Sequence, residues 1–166
     1  LGRRNPPLSR FVRRHNPARR RPDLRDGVLF LRKGEFRIPT EGWGLTYWQN
    51  ALLMSNGSDE LLQIALGGFY VMGSIRVTDA GKSVKNLNEL EIVGNTLYAN
   101  VWQTPLIAVI DLPSGKVQKY IDFSAKGREI YRNNPNIDVL NGIAYDGKYL
   151  WVTGKYWPQI YKIAVP

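Results

Sequence analysis

Six side chains differ where the rest of the sequence repeats. With Leu45, Leu90 and Ile143 as equivalent positions, Trp43, Asn88 and Asn141 stand two places earlier, and Gly57, Trp102 and Lys155 stand twelve places later. Equivalent positions in a repeated core should be apolar and alike, whereas these sets mix indole, carboxamide, ammonium and glycine. Such a mixture fits a site assembled around an axis common to the repeats. Capping of strand ends or filling of a central channel is the other use that periodicity allows. Several chemistries are excluded at once. With no Cys there is no disulfide, thiolate metal site or cysteine nucleophile. One histidine, His15, rules out a multi-histidine zinc site and leaves little room for a Ser-His-Asp triad. The stretch Gly142–Tyr149 nearly spells a phosphate-binding loop, but no Ser or Thr follows Lys148. Its setting is strand, turn, strand, with no helix N-terminus to hold phosphate.

The elements that must position these residues come from three related stretches. They read WGLTYWQNALLMSNGSDELLQI, NELEIVGNTLYANVWQTPLIAVI and NGIAYDGKYLWVTGKYWPQIYKI, with origins 45 and 53 residues apart. Seven places past each origin stands a leucine (Leu52, Leu97, Leu150), and nine places past stand Met54, Ala99 and Val152. Short apolar alternations are broken by Asn56-Gly57, Gly94-Asn95 and Asp146-Gly147. That pattern predicts strand, tight turn, strand, loop, strand in each unit, with fourth strands over 73–78 and 117–123 and no long helix. Units of ~40–50 residues with four strands are the mark of β-propeller blades. The predicted fold class is therefore all-β, a β-propeller with about three blades present. A Greek-key sandwich would not give the self-similarity. Because a propeller closes with at least four blades, the ring is expected to be incomplete.

At 166 residues the chain suffices for one ordinary domain. No apolar run reaches the ~20 residues of a membrane-spanning helix. The net charge of +9 suggests nucleic acid, but its distribution argues otherwise. Residues 1–33 hold eleven Lys and Arg against two Asp, whereas residues 34–166 hold twelve charges of each sign. The expected organisation is a basic, Arg/Pro-rich, disordered tail over 1–33 and a neutral partial propeller over 34–166. An arm for nucleic acid or an anionic surface is a second reading of the tail, since Arg runs neutralise phosphates; only Phe11 interleaves them. Translation out of context is a third. Val28–Leu31, at four residues, falls short of the ~7–15 of a secretory core.

At EGWGLT (41–46), NLNELE (86–91), YANVWQT (98–104), DVLNGIAYD (138–146) and VTGKYWP (152–158), the sequence resembles the plant-type and bacterial glutamine cyclotransferases. The resemblance covers roughly residues 35–166. It implies a five-bladed propeller and a glutaminyl-peptide cyclotransferase, an acyltransferase that needs neither metal nor cofactor. Its substrates are peptides or proteins with N-terminal Gln, converted to pyroglutamate with loss of ammonia. The α-amine attacks its own γ-carboxamide carbon, which requires a deprotonated amine, a folded side chain, a proton for the leaving nitrogen and donors for the oxyanion.

By the same resemblance, Trp43 and Trp102 are the substrate-binding pocket walls. Asn88 contacts the reacting amide and Lys155 is the cation near the catalytic carboxylate; these two are the candidate catalytic residues. Glu89 and Glu91, two apart in a strand and so on one face, are expected to be structural. Asn141 and Trp157 are expected as turn and packing residues at the rim. The family's F-T-Q-G-L-type and F-G-E-G-I-type motifs, the second carrying the general acid/base Glu, do not occur in this sequence. Glu41 heads a later blade and is not assigned that role. The expectation is therefore a cyclotransferase fold short of its first two blades, an inactive fragment. The alternative is a non-catalytic propeller remnant acting as a binding module. Open blade edges predict self-association. The family is often secreted or periplasmic, and no signal peptide is visible in the sequence.

Overall fold

Alternating apolar and polar side chains, punctuated by turn residues, produce three antiparallel meanders in the computed structural model, which describes residues 34–165. The expected disorder of residues 1–33 lies outside the described residues. In the first meander β1 (Leu45–Trp48), β2 (Ala51–Met54), β3 (Glu60–Ala65) and β4 (Val71–Arg76) pair in sequence order. A short hairpin, β5 (Thr78–Asp79) and β6 (Lys82–Ser83), precedes the second meander of β7 (Leu87–Val93), β8 (Thr96–Val101), β9 (Leu106–Asp111) and β10 (Lys116–Asp122). Strand β5 lies parallel to β10, with Thr78 opposite Lys116, which extends this sheet to six strands. Helix α1 (Ser124–Asn133) then leads to the third meander, β11 (Leu140–Tyr145), β12 (Tyr149–Gly154) and β13 (Tyr161–Ala164).

The register follows the sequence repeat. Leu45 pairs with Met54, Leu90 with Ala99 and Ile143 with Val152, each pair nine residues apart. Fourth strands occur as β4 and β10, within two residues of the expected spans. Helix α1 and the β5–β6 hairpin are not foreshadowed by the periodicity. The helix sequence SAKGREIYRN buries only Ile130. It carries no apolar stripe for a 3.6-residue period to reveal.

The second sheet is covered on both faces. Successive side chains of a strand point opposite ways. Leu97, Ala99, Ala108 and Ile110 thus join Leu53 and Leu61 of the first sheet. Their neighbours Tyr98, Ile107 and Val109 join Leu140, Ile143, Leu150 and Val152 of the third. Burial on both faces explains why β8 and β9 read as nearly unbroken apolar runs. Each fully buried Leu or Ile contributes about 1.5–3 kcal/mol. Asn100 is a buried polar exception, and its Oδ1 accepts the Gly142 N–H at 3.2 Å, tying β8 to β11. Strand β7 packs beside both β1 and β11, so the first strands of the three meanders run close together.

Candidate active site

The side chains singled out by the repeat meet where those first strands converge. Glu41, Trp43, Asn88, Trp102, Asn141 and Lys155 line a cavity of about 400 Å³. Trp102 and Lys155 each take the second place of a four-residue turn that follows the middle strand of a meander. The Thr104 N–H donates to the Val101 carbonyl at 3.1 Å, and the Trp157 N–H donates to the Gly154 carbonyl at 3.1 Å. The third residue of each turn is left-handed, Gln103 at φ 61° and Tyr156 at φ 60°. For non-glycine residues that conformation costs about 1 kcal/mol or more, strain that a fold retains where it fixes a functional side chain.

Trp43 reaches the cavity from the segment before β1. Its indole meets that of Trp102 edge to face, with centroids 5.3 Å apart at 73°. Gly57 supplies its seat. A Cβ there would lie 2.5 Å from Trp43 Cη2, and the backbone is left-handed at φ 81°. Asn88 is held through its main chain. The fully buried Ser55 hydroxyl donates to the Asn88 carbonyl at 2.7 Å and accepts the Gly44 N–H at 2.8 Å. One hydroxyl therefore joins the Trp43 segment to β7 at the position of Asn88.

The residues after Asn88 are used differently. Glu89 and Glu91 are absent from the cavity lining. The Tyr145 N–H donates to Glu91 Oε1 at 3.1 Å, a link from β11 to β7. Burial raises the Glu89 carboxyl above its ordinary range. Burial also raises that of Glu91, with the Tyr145 N–H opposing and the Glu89 charge adding to the rise.

The sequence profile of the glutamine cyclotransferases matches residues 24–165. The chain belongs to this family. A glutaminyl-peptide cyclotransferase from Arabidopsis thaliana is 39% identical over 126 residues, which are 74% of this chain and 39% of that relative. The crystal structure of Myxococcus xanthus glutaminyl cyclase superposes with a TM-score of 0.70 at 36% identity, covering 78% of this chain and 59% of that one. The chain thus spans less than two thirds of either relative. The match begins at residue 24, inside the stretch that charge and proline content set apart.

Trp43, Asn88, Trp102 and Lys155 all line one cavity. Two further residues join them. Asn141, expected at the rim, lines the cavity instead, because it shares the repeat position of Trp43 and Asn88. Its Oδ1 is buried without a hydrogen-bond partner. Glu41, which had been given no role, is the acidic residue of the lining; its place two residues before Trp43 was the available signal. Trp157 lies outside the cavity, its Nε1–H donating to the Asp138 carbonyl at 3.0 Å. Among the described residues no group of three or more His, Cys, Asp or Glu is placed to hold a metal ion. Among the same residues no helix is long and apolar enough to cross a membrane.

Proposed function

We propose that the cavity binds an N-terminal glutaminyl residue, which the complete site cyclises to pyroglutamate, and that the three meanders are successive blades of a five-bladed propeller. The observation that carries this reading is the convergence of two indoles, a carboxamide and an ammonium in a chain 39% identical to a glutaminyl-peptide cyclotransferase. The α-amine nitrogen bonds to the γ-carboxamide carbon while negative charge develops on the oxygen. The attacking nitrogen gives up one proton, the bond from that carbon to the amide nitrogen breaks, and the leaving nitrogen takes up one proton and departs as ammonia, so the protons balance. The edge-to-face indoles of Trp43 and Trp102 hold the side chain folded, so that amine and carboxamide stay within reach. Asn88 hydrogen-bonds the reacting amide. The Lys155 ammonium steadies the developing oxyanion. Glu41 is the lining carboxylate able to accept a hydrogen bond from the α-amine. The reaction so drawn needs no metal or cofactor.

The missing F-G-E-G-I-type motif removes the family's general acid/base Glu from this sequence, a loss of ~10²–10⁴-fold in rate. That absence favours a second reading for this chain by itself, a module that binds glutaminyl peptides without turning them over. The test has two arms. Glutaminamide binding to the chain is followed by tryptophan fluorescence, and ammonia release is measured both for the chain and for a chimera supplying the upstream sheets of a full-length relative. Binding is expected in both, with turnover in the chain at least ~10²-fold below the chimera. In the chimera Lys155→Ala and Asn88→Ala should each reduce turnover by more than ~10²-fold, and Glu91→Ala should not. Unchanged turnover in the first two variants refutes the assignment.

A further inference from the structure

Beside the glutaminyl cavity lies a second, larger concavity of about 670 Å³, whose walls include Arg128, Tyr131, Arg132, Ile137, Val139 and Trp157. One wall is a face of α1. Ser124, Gly127, Arg128, Tyr131 and Arg132 all line the groove, a spacing that puts them on one stripe of the helix, while Ile130 turns to the core. Away from α1 the lining is largely apolar, with Gln103, Thr104 and Asp138 as its polar members. Trp157 packs across Gly154, where an added Cβ would lie 2.7 Å from the indole Cδ1, and its Nε1–H is held by Asp138. Tyr131 is left 57% exposed at the edge.

The groove and the cavity share their framework. Lys155 lines the cavity, and its backbone pairs with the groove residues on both sides: the Asp138 N–H donates to the Lys155 carbonyl at 2.9 Å, and the Lys155 N–H donates to the Val139 carbonyl at 2.9 Å. Trp102 lines the cavity, and the next two residues, Gln103 and Thr104, line the groove. Neighbouring Cα atoms are 3.8 Å apart, so the groove begins within about 7 Å of the cavity wall, the span of about two extended residues. Charge gives the groove a sign. Arg128 and Arg132 are exposed and form no ion pair among the described residues; the Asp122 carboxyl is held below its ordinary range chiefly by hydrogen bonds from Ser124, to which the Arg128 charge adds. The groove's own acid, Asp138, directs Oδ1 to the Val139 N–H at 2.8 Å.

We propose that this groove takes the residues following the N-terminal glutamine of a peptide substrate and favours those carrying carboxylates at about the third to fifth position. The proposal rests on the glutaminyl reading of the cavity. An extended peptide advances about 3.3 Å per residue and would carry its third residue into the groove that Arg128, Arg132 and Trp157 line. A guanidinium offers a planar fork that matches a carboxylate, while the apolar part of the lining accepts the stems of neighbouring side chains.

The experiment uses the full chain and three probes at about 50 mM salt, where exposed charge pairs are weakly screened. The probes are glutaminamide, a pentapeptide amide Gln-Ala-Asp-Glu-Ala, and its counterpart Gln-Ala-Lys-Lys-Ala. Calorimetric titration should show the acidic peptide binding about tenfold or more tightly than the basic one. The double variant Arg128→Glu/Arg132→Glu should abolish or invert that preference while leaving glutaminamide affinity within about twofold of the parent. Both arginines are exposed, so the fold is expected to survive, as far-UV circular dichroism will report. Equal affinity for the two peptides, with glutaminamide still bound, overturns the groove assignment alone. Failure of glutaminamide to bind overturns the reading of the cavity and the groove assignment with it. A charge preference that persists in the double variant places recognition elsewhere and also overturns the proposal.

Discussion

Ser55 is the residue on which the geometry between Trp43 and Asn88 depends, and its removal has a calculable effect. Ser55 is fully buried, and its hydroxyl accepts the Gly44 N–H at 2.8 Å and donates to the part-buried Asn88 carbonyl at 2.7 Å. Ser55→Ala leaves the buried Gly44 N–H and the part-buried Asn88 carbonyl without that partner. At about 1–1.5 kcal/mol for each lost bond the expected destabilisation is about 2–3 kcal/mol. That is a large part of the 5–15 kcal/mol typical of a domain. In urea, with a slope of about 1.5–2 kcal/mol per M, the unfolding midpoint should fall by about 1–2 M. Gly44→Ala attacks the same junction from the other side. Its Cβ would stand 2.9 Å from the Asn88 carbonyl carbon and 3.1 Å from Glu89 Cα, so the two backbones must separate, at about 1–3 kcal/mol. Both variants shift Asn88 relative to Trp43 and should weaken glutaminamide binding by about tenfold. Ser114→Ala, whose hydroxyl serves an exposed turn, is the control. If Ser55→Ala and Gly44→Ala both stay within about 0.5 kcal/mol of the parent and bind glutaminamide normally, this junction does not position the site.

Gly57→Ala should displace the Trp43 indole and impose a left-handed alanine, destabilising by about 1–2 kcal/mol and erasing the near-UV circular dichroism of the Trp43–Trp102 pair; an unaltered spectrum refutes the role of Gly57. Burial raises the Glu89 carboxyl above its ordinary value of 4.5. Below 4.5 the group is protonated in both folded and unfolded chains, and its penalty grows as pH rises through the folded value. Glu89→Gln should therefore gain stability over the parent at pH 7 but little at pH 4, in urea titrations at the two pH values; a gain independent of pH contradicts this. Leu45 and Tyr47 are more than half exposed on the outer face of the first sheet, so the chain should self-associate at about 100 µM. Leu45→Asp with Tyr47→Asp should restore a monomer in sedimentation velocity, and a parent chain that is already monomeric defeats the idea.

Most of the strand order was legible because the repeat acts through register. Nine residues separate Leu45 from Met54, Leu90 from Ala99 and Ile143 from Val152, and in each case the two pair across a hairpin. What escaped the pattern is what carries little of it. Helix α1 has one buried side chain, and β5 and β6 have two residues each, too few to show alternation. The left-handed Gln103 and Tyr156 were also hidden, since neither residue type advertises a positive φ as glycine does. The site was legible for a different reason. Trp43, Asn88 and Asn141 occupy one repeat position, and their disagreement with each other marked it. Asn141 was expected at the rim, although its position in the repeat already put it with the other two.

The repeat also separates two things that are easily confused, where a side chain points and whether it is covered. Leu45, Leu90 and Ile143 occupy equivalent register positions, yet they are 55%, 1% and 7% exposed. Leu90 packs with Leu53 and Leu61 of the first sheet, and Ile143 packs with Ile107 and Val109 of the second. Leu45 points the same way, and among the described residues no sheet precedes β1 to receive it. Direction is thus set within a strand, by the period of two, whereas burial is set by the neighbouring sheet. The same separation governs the site. The position two before each origin escapes that period of two, because Trp43 precedes β1 and register irregularities fall at 87–90 and 140–143. All three residues lie outside both hydrophobic clusters and line the cavity, so core packing does not fix their type. A tryptophan, an asparagine and a second asparagine can occupy it without disturbing the core. A repeated fold admits chemistry at such positions first, because there a change of residue type alters the cavity and leaves the sheets as they were.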